Sequence, residues 1–248
     1  ARLAATSDRP ADEKGIALAP LDRTFTDSGV TYSTLKVDID RAARRATITI
    51  LGPTSPPPVS TDALVTEGAQ YWPLRCAREL DDAILHLRLN ETSVAVLVFK
   101  SQGDAAAVLA HDAFLDANKS HWLAREIIGQ WRRVLKRIDV TSRSLVTLIE
   151  PGSCFAGTLA EIAFASDRTF MFSGAMPGNN EPPASITLSA MSFGPYPMSN
   201  DLTRLSTRFY GEPDSVENAR AAIGKPLAAE DAEEMGLVTI AYDHVDWA

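Results

Sequence analysis

The hydrophobic and polar positions of this chain change period several times, and each change marks an expected element. From Arg45 to Leu51 (Arg-Ala-Thr-Ile-Thr-Ile-Leu) apolar and polar residues alternate and several are β-branched, the period of a strand with one buried face. Thr31 to Ile39 alternates in part and predicts a neighbouring strand. Gly52-Pro53 and then Pro56-Pro57-Pro58 end the run, because prolines supply no amide donor and hold an extended path. Leu80, Ile84 and Leu87 recur at helical spacing, with Arg78, Glu79, Asp81, Asp82 and Arg88 free to take the solvated side. An amphipathic helix is therefore expected from Asp62, or from Trp72, to about Asn90. Val94 to Phe99 is a continuous β-favouring run, the pattern of a parallel strand buried on both faces.

The second half continues the alternation of helices and strands. A helical tract is expected from Ser120 to Ile138, a short buried strand at Leu145 to Ile149 closed by Glu150-Pro151-Gly152, and a helix over Leu159 to Ala165. Phe170-Met171-Phe172 reads as a further strand, and the proline- and asparagine-rich stretch from Pro177 to Pro183 as a loop. Leu227 to Met235 reads as a helix capped by Gly236, followed by a last strand from Leu237 to Ala241. Strands separated by helices imply βαβ units. The expected class is thus α/β, with a mostly parallel sheet and right-handed crossovers.

With 248 residues, 45% of them hydrophobic, the chain can bury the core of one α/β domain. The formal charge of −8 comes with basic residues scattered among acidic ones, so no face is built to track a phosphate backbone and nucleic acid is not an expected partner. The apolar runs fall far short of the roughly 20 residues that cross a bilayer, so no membrane association is expected. Cys76 and Cys154 lack a metal-like spacing, which suits a reducing cytoplasm. Pro10, Gly15, Pro20 and Gly29 interrupt every candidate helix in residues 1–31. That stretch is expected to be a connector from something upstream, anchored by Leu18, Leu21 and Phe25, with the domain proper at residues 32–248.

The tract from Leu148 to Arg168 carries a resemblance. There a strand ends in a glycine-containing turn, a glycine-bearing segment enters a helix, and Glu161 precedes Asp167 by six positions, as in the crotonase (enoyl-CoA hydratase/isomerase) superfamily. Arg45 to Gly52 and Val94 to Gly103 are similar to the first two core strands of that family. Asp104 to Asp112 stands where the family has an Ala/Gly-rich turn ending in Asp, and Lys225 to Val238 resembles its C-terminal Ala-x-x-x-Gly-Leu-Val signature. The resemblance implies a crotonase-like fold and an acyl-CoA thioester as substrate, with coenzyme A entering only as part of that substrate and no other cofactor. More narrowly, the segments resemble the second half of a family lyase built from two tandem crotonase-like halves, which opens an epoxidised aromatic acyl-CoA with water and releases formate. The upstream half and a second copy in a homodimer are then the expected partners.

Crotonase chemistry rests on two backbone N–H groups that hold the thioester oxygen as it becomes an enolate, each worth roughly 3 kcal/mol. The family pattern puts one donor at His111 and the other at Gly157 or Thr158. Its acid/base pair is two glutamates about twenty positions apart, which Glu161 and Glu181 match. Both regions depart from the family: its run of glycines is here Ala156-Gly157-Thr158, bulky Val108-Leu109 replaces small residues, and Glu181 is followed by Pro182-Pro183. The expectation is a degenerate site in a structural, dimer-forming half, the alternative being a self-sufficient hydratase or isomerase that uses both glutamates. Ser153 and Cys154 sit on a turn that invites a nucleophile reading, but no His is linked to it by motif. His111, Asp112 and His121 lack a third ligand at a recognised spacing. Phe170, Met171, Phe172, Met176, Trp122 and Trp131 read as packing residues.

Overall fold

The computed structural model describes Thr6, residues 14–174, Gly178 and residues 180–247. Met176 and part of the stretch expected to be a connector, residues 1–5 and 7–13, lie outside the described residues. The chain begins with four antiparallel strands, β1 (Arg23–Thr26), β2 (Gly29–Tyr32), β3 (Leu35–Asp40) and β4 (Arg45–Leu51). After β4 come α1 (Thr61–Glu67), α2 (Trp72–Asn90), β5 (Val96–Gln102), α3 (Ala105–Ala117), α4 (Trp122–Asp139) and β6 (Ser144–Ile149). Then follow α5 (Ala160–Ala165), β7 (Arg168–Phe172), β8 (Ile186–Thr187), α6 (Arg204–Arg208), α7 (Pro213–Ala221), β9 (Pro226–Leu227), α8 (Ala229–Glu234) and β10 (Ile240–Tyr242). The main sheet has the order β1-β2-β3-β4-β5-β6-β7-β10, and every pairing from β4 to β10 is parallel.

Among the described residues strand structure therefore already includes Arg23–Thr26, within the stretch expected to be a connector. Thr24 and Thr31, and Phe25 and Val30, face one another across a tight turn at Asp27 and Ser28, and the resulting hairpin extends the sheet edge. Of the expected anchors, Leu18 and Phe25 are exposed and Leu21 is half-buried.

One face of the sheet is covered. Ala46, Ile48 and Ile50 of β4, Leu97 and Phe99 of β5, and Leu145 and Ile149 of β6 point into the core, which α2 closes with Leu80, Ile84 and Leu87 and α4 with Ile127, Trp131, Leu135 and Ile138. Both helices show the 3.6-residue spacing that a buried stripe requires. Burying each such aliphatic side chain is worth about 1.5–3 kcal/mol. On the other face Val98 and Phe172 are buried, while Thr47, Thr49, Lys100, Val146, Leu148, Phe170, Ile240 and Tyr242 are only half-buried. That is unusual for parallel strands, which normally bury both faces.

Two expectations need correction. Asp104 to Asp112 does not form a small-residue turn. Asp104 caps α3 by accepting the Ala106 N–H (2.8 Å), and Ala105-Ala106-Ala107 propagates the helix at once, as alanine's high propensity favours. The expected helix from Leu227 is shorter, because Pro226–Leu227 pairs with Ile186–Thr187 instead. Its end is as expected: Gly236 (φ +69°) and Leu237 donate to the Glu233 and Ala232 carbonyls, a Schellman closure.

Candidate functional site

In open parallel sheets ligands bind beyond the carboxyl ends of the strands. Here β4, β5 and β6 run out at Gly52, Gly103 and Gly152. Gly52 donates to Gln102 O (2.8 Å), Gly103 to Gly152 O (3.0 Å) and Gly152 to Pro182 O (2.9 Å). The backbones are so close that a Cβ on Gly103 would lie 3.0 Å from Gly52 Cα. Beside this junction opens a cleft of roughly 730 Å³ lined by Asp104, Glu150, Gly152, Ser153 and Glu181 among others. Glu181 is exposed and rests over Gly152.

Glu161 is not in that cleft. It lies on α5 with 1% of its surface exposed, and its Oε2 accepts from Arg204 Nη1 (2.9 Å). The same guanidinium holds Asp139 at the end of α4 through Nε (3.0 Å) and Nη2 (2.7 Å), and donates to Tyr196 O (3.1 Å). A buried Asp139–Arg204–Glu161 triad thus ties α4, α5 and α6 together.

Burial pushes the Glu161 carboxyl up to about 7 against the pull of Arg204. A folded value above the ordinary 4.5 means that the folded state holds this proton more tightly than the unfolded state. Its contribution to stability is then fullest below pH 4.5 and declines as pH rises to about 7. Glu161→Gln cannot titrate. Denaturant melts across that window are expected to show wild type losing up to about 3 kcal/mol relative to Glu161→Gln. A wild type that instead gained ground with rising pH would mean that the Arg204 pairing outweighs burial.

Two of the expected oxyanion donors, His111 and Thr158, are already engaged. His111 sits inside α3, where its amide belongs to the helical ladder. Its ring is buried, with Nε2 3.0 Å from Ser55 O and Nδ1 3.1 Å from the Tyr71 hydroxyl. A carbonyl only accepts, so Nε2 carries the proton and Nδ1 accepts from Tyr71; burial holds this imidazole below its ordinary pKa. The Thr158 amide donates to Asp112 Oδ2 (2.7 Å), and the Thr158 hydroxyl donates to Asp112 Oδ1 (2.6 Å). Ser189 Oγ adds a third bond to Oδ2 (3.1 Å), and the Tyr196 hydroxyl, 2.9 Å away, donates to Thr158 Oγ1. Burial raises the Asp112 carboxyl to about 6 despite these donors. Gly157 turns the chain here at φ +49°, and a Cβ on it would overlap Asp112 Oδ2.

Three residues of this arrangement, Asp139, Tyr196 and Arg204, carried no role in the sequence reading, and Asp112 was given no part in the site. Asp112 had a signal, as the acid closing the family's turn. Arg204 had none, since a buried arginine is recognisable only by partners 43 and 65 positions away. The nucleophile reading finds no geometry: Ser153 Oγ accepts the Glu150 N–H (2.9 Å), and burial pushes the Cys154 thiol up to about 11. Among the described residues no His, Cys, Asp or Glu group is placed to hold a metal ion, and no helix is long and apolar enough to cross a membrane.

Solved structures share this architecture. Enoyl-CoA hydratase from Bacillus anthracis superposes with a TM-score of 0.56 at 16% identity, covering 85% of this chain and 70% of the other. An enoyl-CoA hydratase/isomerase from Xanthobacter autotrophicus Py2 gives 0.56 at 16% identity, with 87% and 69% covered. This chain has the crotonase fold. Within that fold it is similar to benzoyl-CoA-dihydrodiol lyase of Aromatoleum evansii, 47% identical over 246 residues, which are 99% of this chain. The chain spans only 43% of that relative's length. No family model matches it. Compared with the sequence expectation, this crotonase-fold chain brings Gly157 and Thr158 together with Asp112, while Glu161 and Glu181 lie in separate surroundings.

Proposed function

We propose that this chain is the structural half of a ring-cleaving acyl-CoA lyase of the benzoyl-CoA-dihydrodiol lyase type. An upstream crotonase-like half then carries the reaction, in which 2,3-epoxy-2,3-dihydrobenzoyl-CoA is opened by water and formate is released. The observation that carries this reading is the Asp112 carboxylate on the Thr158 amide. With Thr158 rather than Gly157 as the second oxyanion donor, an enolate oxygen needs that amide, and a resident carboxylate both occupies it and repels a second negative charge. The similarity to the lyase over nearly all of this chain, at 43% of the lyase's length, supports the division into halves.

The half-buried sheet face of Val146, Leu148, Phe170 and Tyr242 is the surface such a half would offer to its upstream neighbour or to a second copy in a cytoplasmic homodimer. No cofactor beyond the coenzyme A of the substrate enters this reading. The alternative, a self-sufficient hydratase or isomerase using Glu161 and Glu181, needs both carboxylates on one substrate, and only Glu181 lines the cleft.

The test is kinetic. The 248-residue chain is expected to turn over neither crotonyl-CoA nor epoxybenzoyl-CoA, and Glu161→Gln in the full-length lyase is expected to leave kcat within about threefold of wild type. Turnover by the 248-residue chain that is abolished by Glu161→Gln would overturn the proposal in favour of the self-sufficient enzyme.

A further inference from the structure

At the opposite end of the sheet from the glycine junction, the chain enters β4, β5 and β6 from turns that carry Arg44, Ala95 and Arg143. A cleft of roughly 680 Å³ opens there, lined by Arg44, Arg88, Arg143, Thr92, Ser142 and Ser144 together with the strand starts. Its charge is one-sided. Among the described residues none of the three guanidiniums pairs with a carboxylate; nearby Glu91 is taken by Arg41 (2.5 Å). For a chain of net charge −8, three unneutralised arginines around one cleft are a local exception.

Backbone oxygens orient these arginines. Arg143 donates through Nε to Val94 O (2.7 Å) and through Nη2 to Leu87 O (2.9 Å) and Glu91 O (3.0 Å). Arg88 donates through Nη2 to Thr141 Oγ1 (2.9 Å) and Arg137 O (3.3 Å), and Arg44 through Nε to Ser93 O (2.9 Å). These acceptors lie at or just beyond the C-terminal ends of α2 and α4, whose dipoles supply only about half a negative charge each. What remains is a set of fixed donors without partners among the described residues: Nη1 of Arg143, Nε and Nη1 of Arg88, and both terminal nitrogens of Arg44. Burial, with the neighbouring Arg88 charge, holds the Arg143 guanidinium below its ordinary value. Arg44 also sits at φ +54°, a conformation uncommon for a side-chain-bearing residue. The strand amides cannot serve a ligand: Ala95 and Val96 donate to Arg44 O and Ser144 donates to Ala95 O.

We propose that this cleft is a binding site for a phosphate-bearing small molecule, with the forks of Arg44, Arg88 and Arg143 on the phosphate oxygens and the hydroxyls of Thr92, Ser142 and Ser144 completing the shell. Planar guanidinium forks match phosphate oxygens two at a time, and carbonyl-anchored arginines give up little rotamer freedom on binding. A two-group ligand such as a pyrophosphate suits the three charges better than a single phosphate does.

Calorimetric titration of the purified protein with inorganic pyrophosphate and, separately, inorganic phosphate tests this. One pyrophosphate per chain is expected, bound at least tenfold more tightly than phosphate and weakening as salt is raised. Arg44→Asn keeps a residue tolerant of the left-handed backbone, and Arg88→Gln keeps a donor for Thr141; each is expected to weaken pyrophosphate binding about tenfold with no change in melting temperature in ligand-free buffer. Arg44→Lys is expected to recover part of the loss. Absence of saturable binding, or equal binding by wild type and the two charge-removing variants, would overturn the proposal.

Discussion

Arg204→Met is expected to destabilise this protein by about 3–5 kcal/mol, the largest effect of any single substitution considered. Breaking a buried ion pair by removing one partner leaves an uncompensated charge in a low-dielectric interior. Here removal strands two carboxylates at once, because the Arg204 guanidinium is 1% exposed and bridges Glu161 and Asp139. Methionine matches the stem of arginine closely enough that lost volume is a minor part of the cost. Chemical denaturation at neutral pH reads the effect. The variant's deficit is also expected to shrink as pH falls, since protonation of the stranded acids relieves it. Arg204→Met with Glu161→Gln and Asp139→Asn is then expected to be more stable than Arg204→Met alone, because the neutral amides no longer carry buried charge. A loss below about 1 kcal/mol for Arg204→Met would mean that the triad contributes little net stability, as some buried ion pairs do.

This triad also shows where sequence reading stops. Alternation at residues 45–51, the apolar run from Val94 and the helical stripe of Leu80, Ile84 and Leu87 are local periodicities, and each became the expected element. The parallel sense of most of the sheet followed from strand–helix alternation, whereas the strand order was not legible in it. The hairpin at Arg23–Tyr32 was missed because its strands are four residues each and mostly polar, too short to declare a period. The site was harder still. The family pattern pointed to Glu161, Gly157 and Thr158, and in the structure each meets a partner elsewhere in the chain: Arg204 for the glutamate and Asp112 for the other two. A family pattern records which positions converge. It does not record whether the cavity between them is left open for a substrate or filled by one of the chain's own side chains.

That filling can be probed from the glycine. Gly157→Ala is expected to cost about 3 kcal/mol or more, well beyond what the backbone conformation alone demands. The conformational part is calibrated by Gly211, at φ +87° with nothing within 4 Å of an added Cβ, where alanine is expected to cost about 1–2 kcal/mol. At Gly157 the same methyl meets the Asp112 carboxylate and comes within 2.9 Å of Ser189 Oγ. Asp112 cannot withdraw cheaply, because moving it strands the buried Thr158 amide and hydroxyl that it satisfies, each worth roughly 1–3 kcal/mol when left unpaired. The discriminating measurement is a double-mutant cycle. Asp112→Ala alone is expected to destabilise by about 3 kcal/mol through those orphaned donors. With the carboxylate gone, however, the methyl at 157 has room, so the double variant is expected to be more stable than the sum of the two losses by at least about 1 kcal/mol. Simple additivity in denaturant melts would show that the penalty at Gly157 is backbone strain alone. The close fit of carboxylate, amide and glycine would then have no energetic weight, and the proposal of a degenerate site would lose that support.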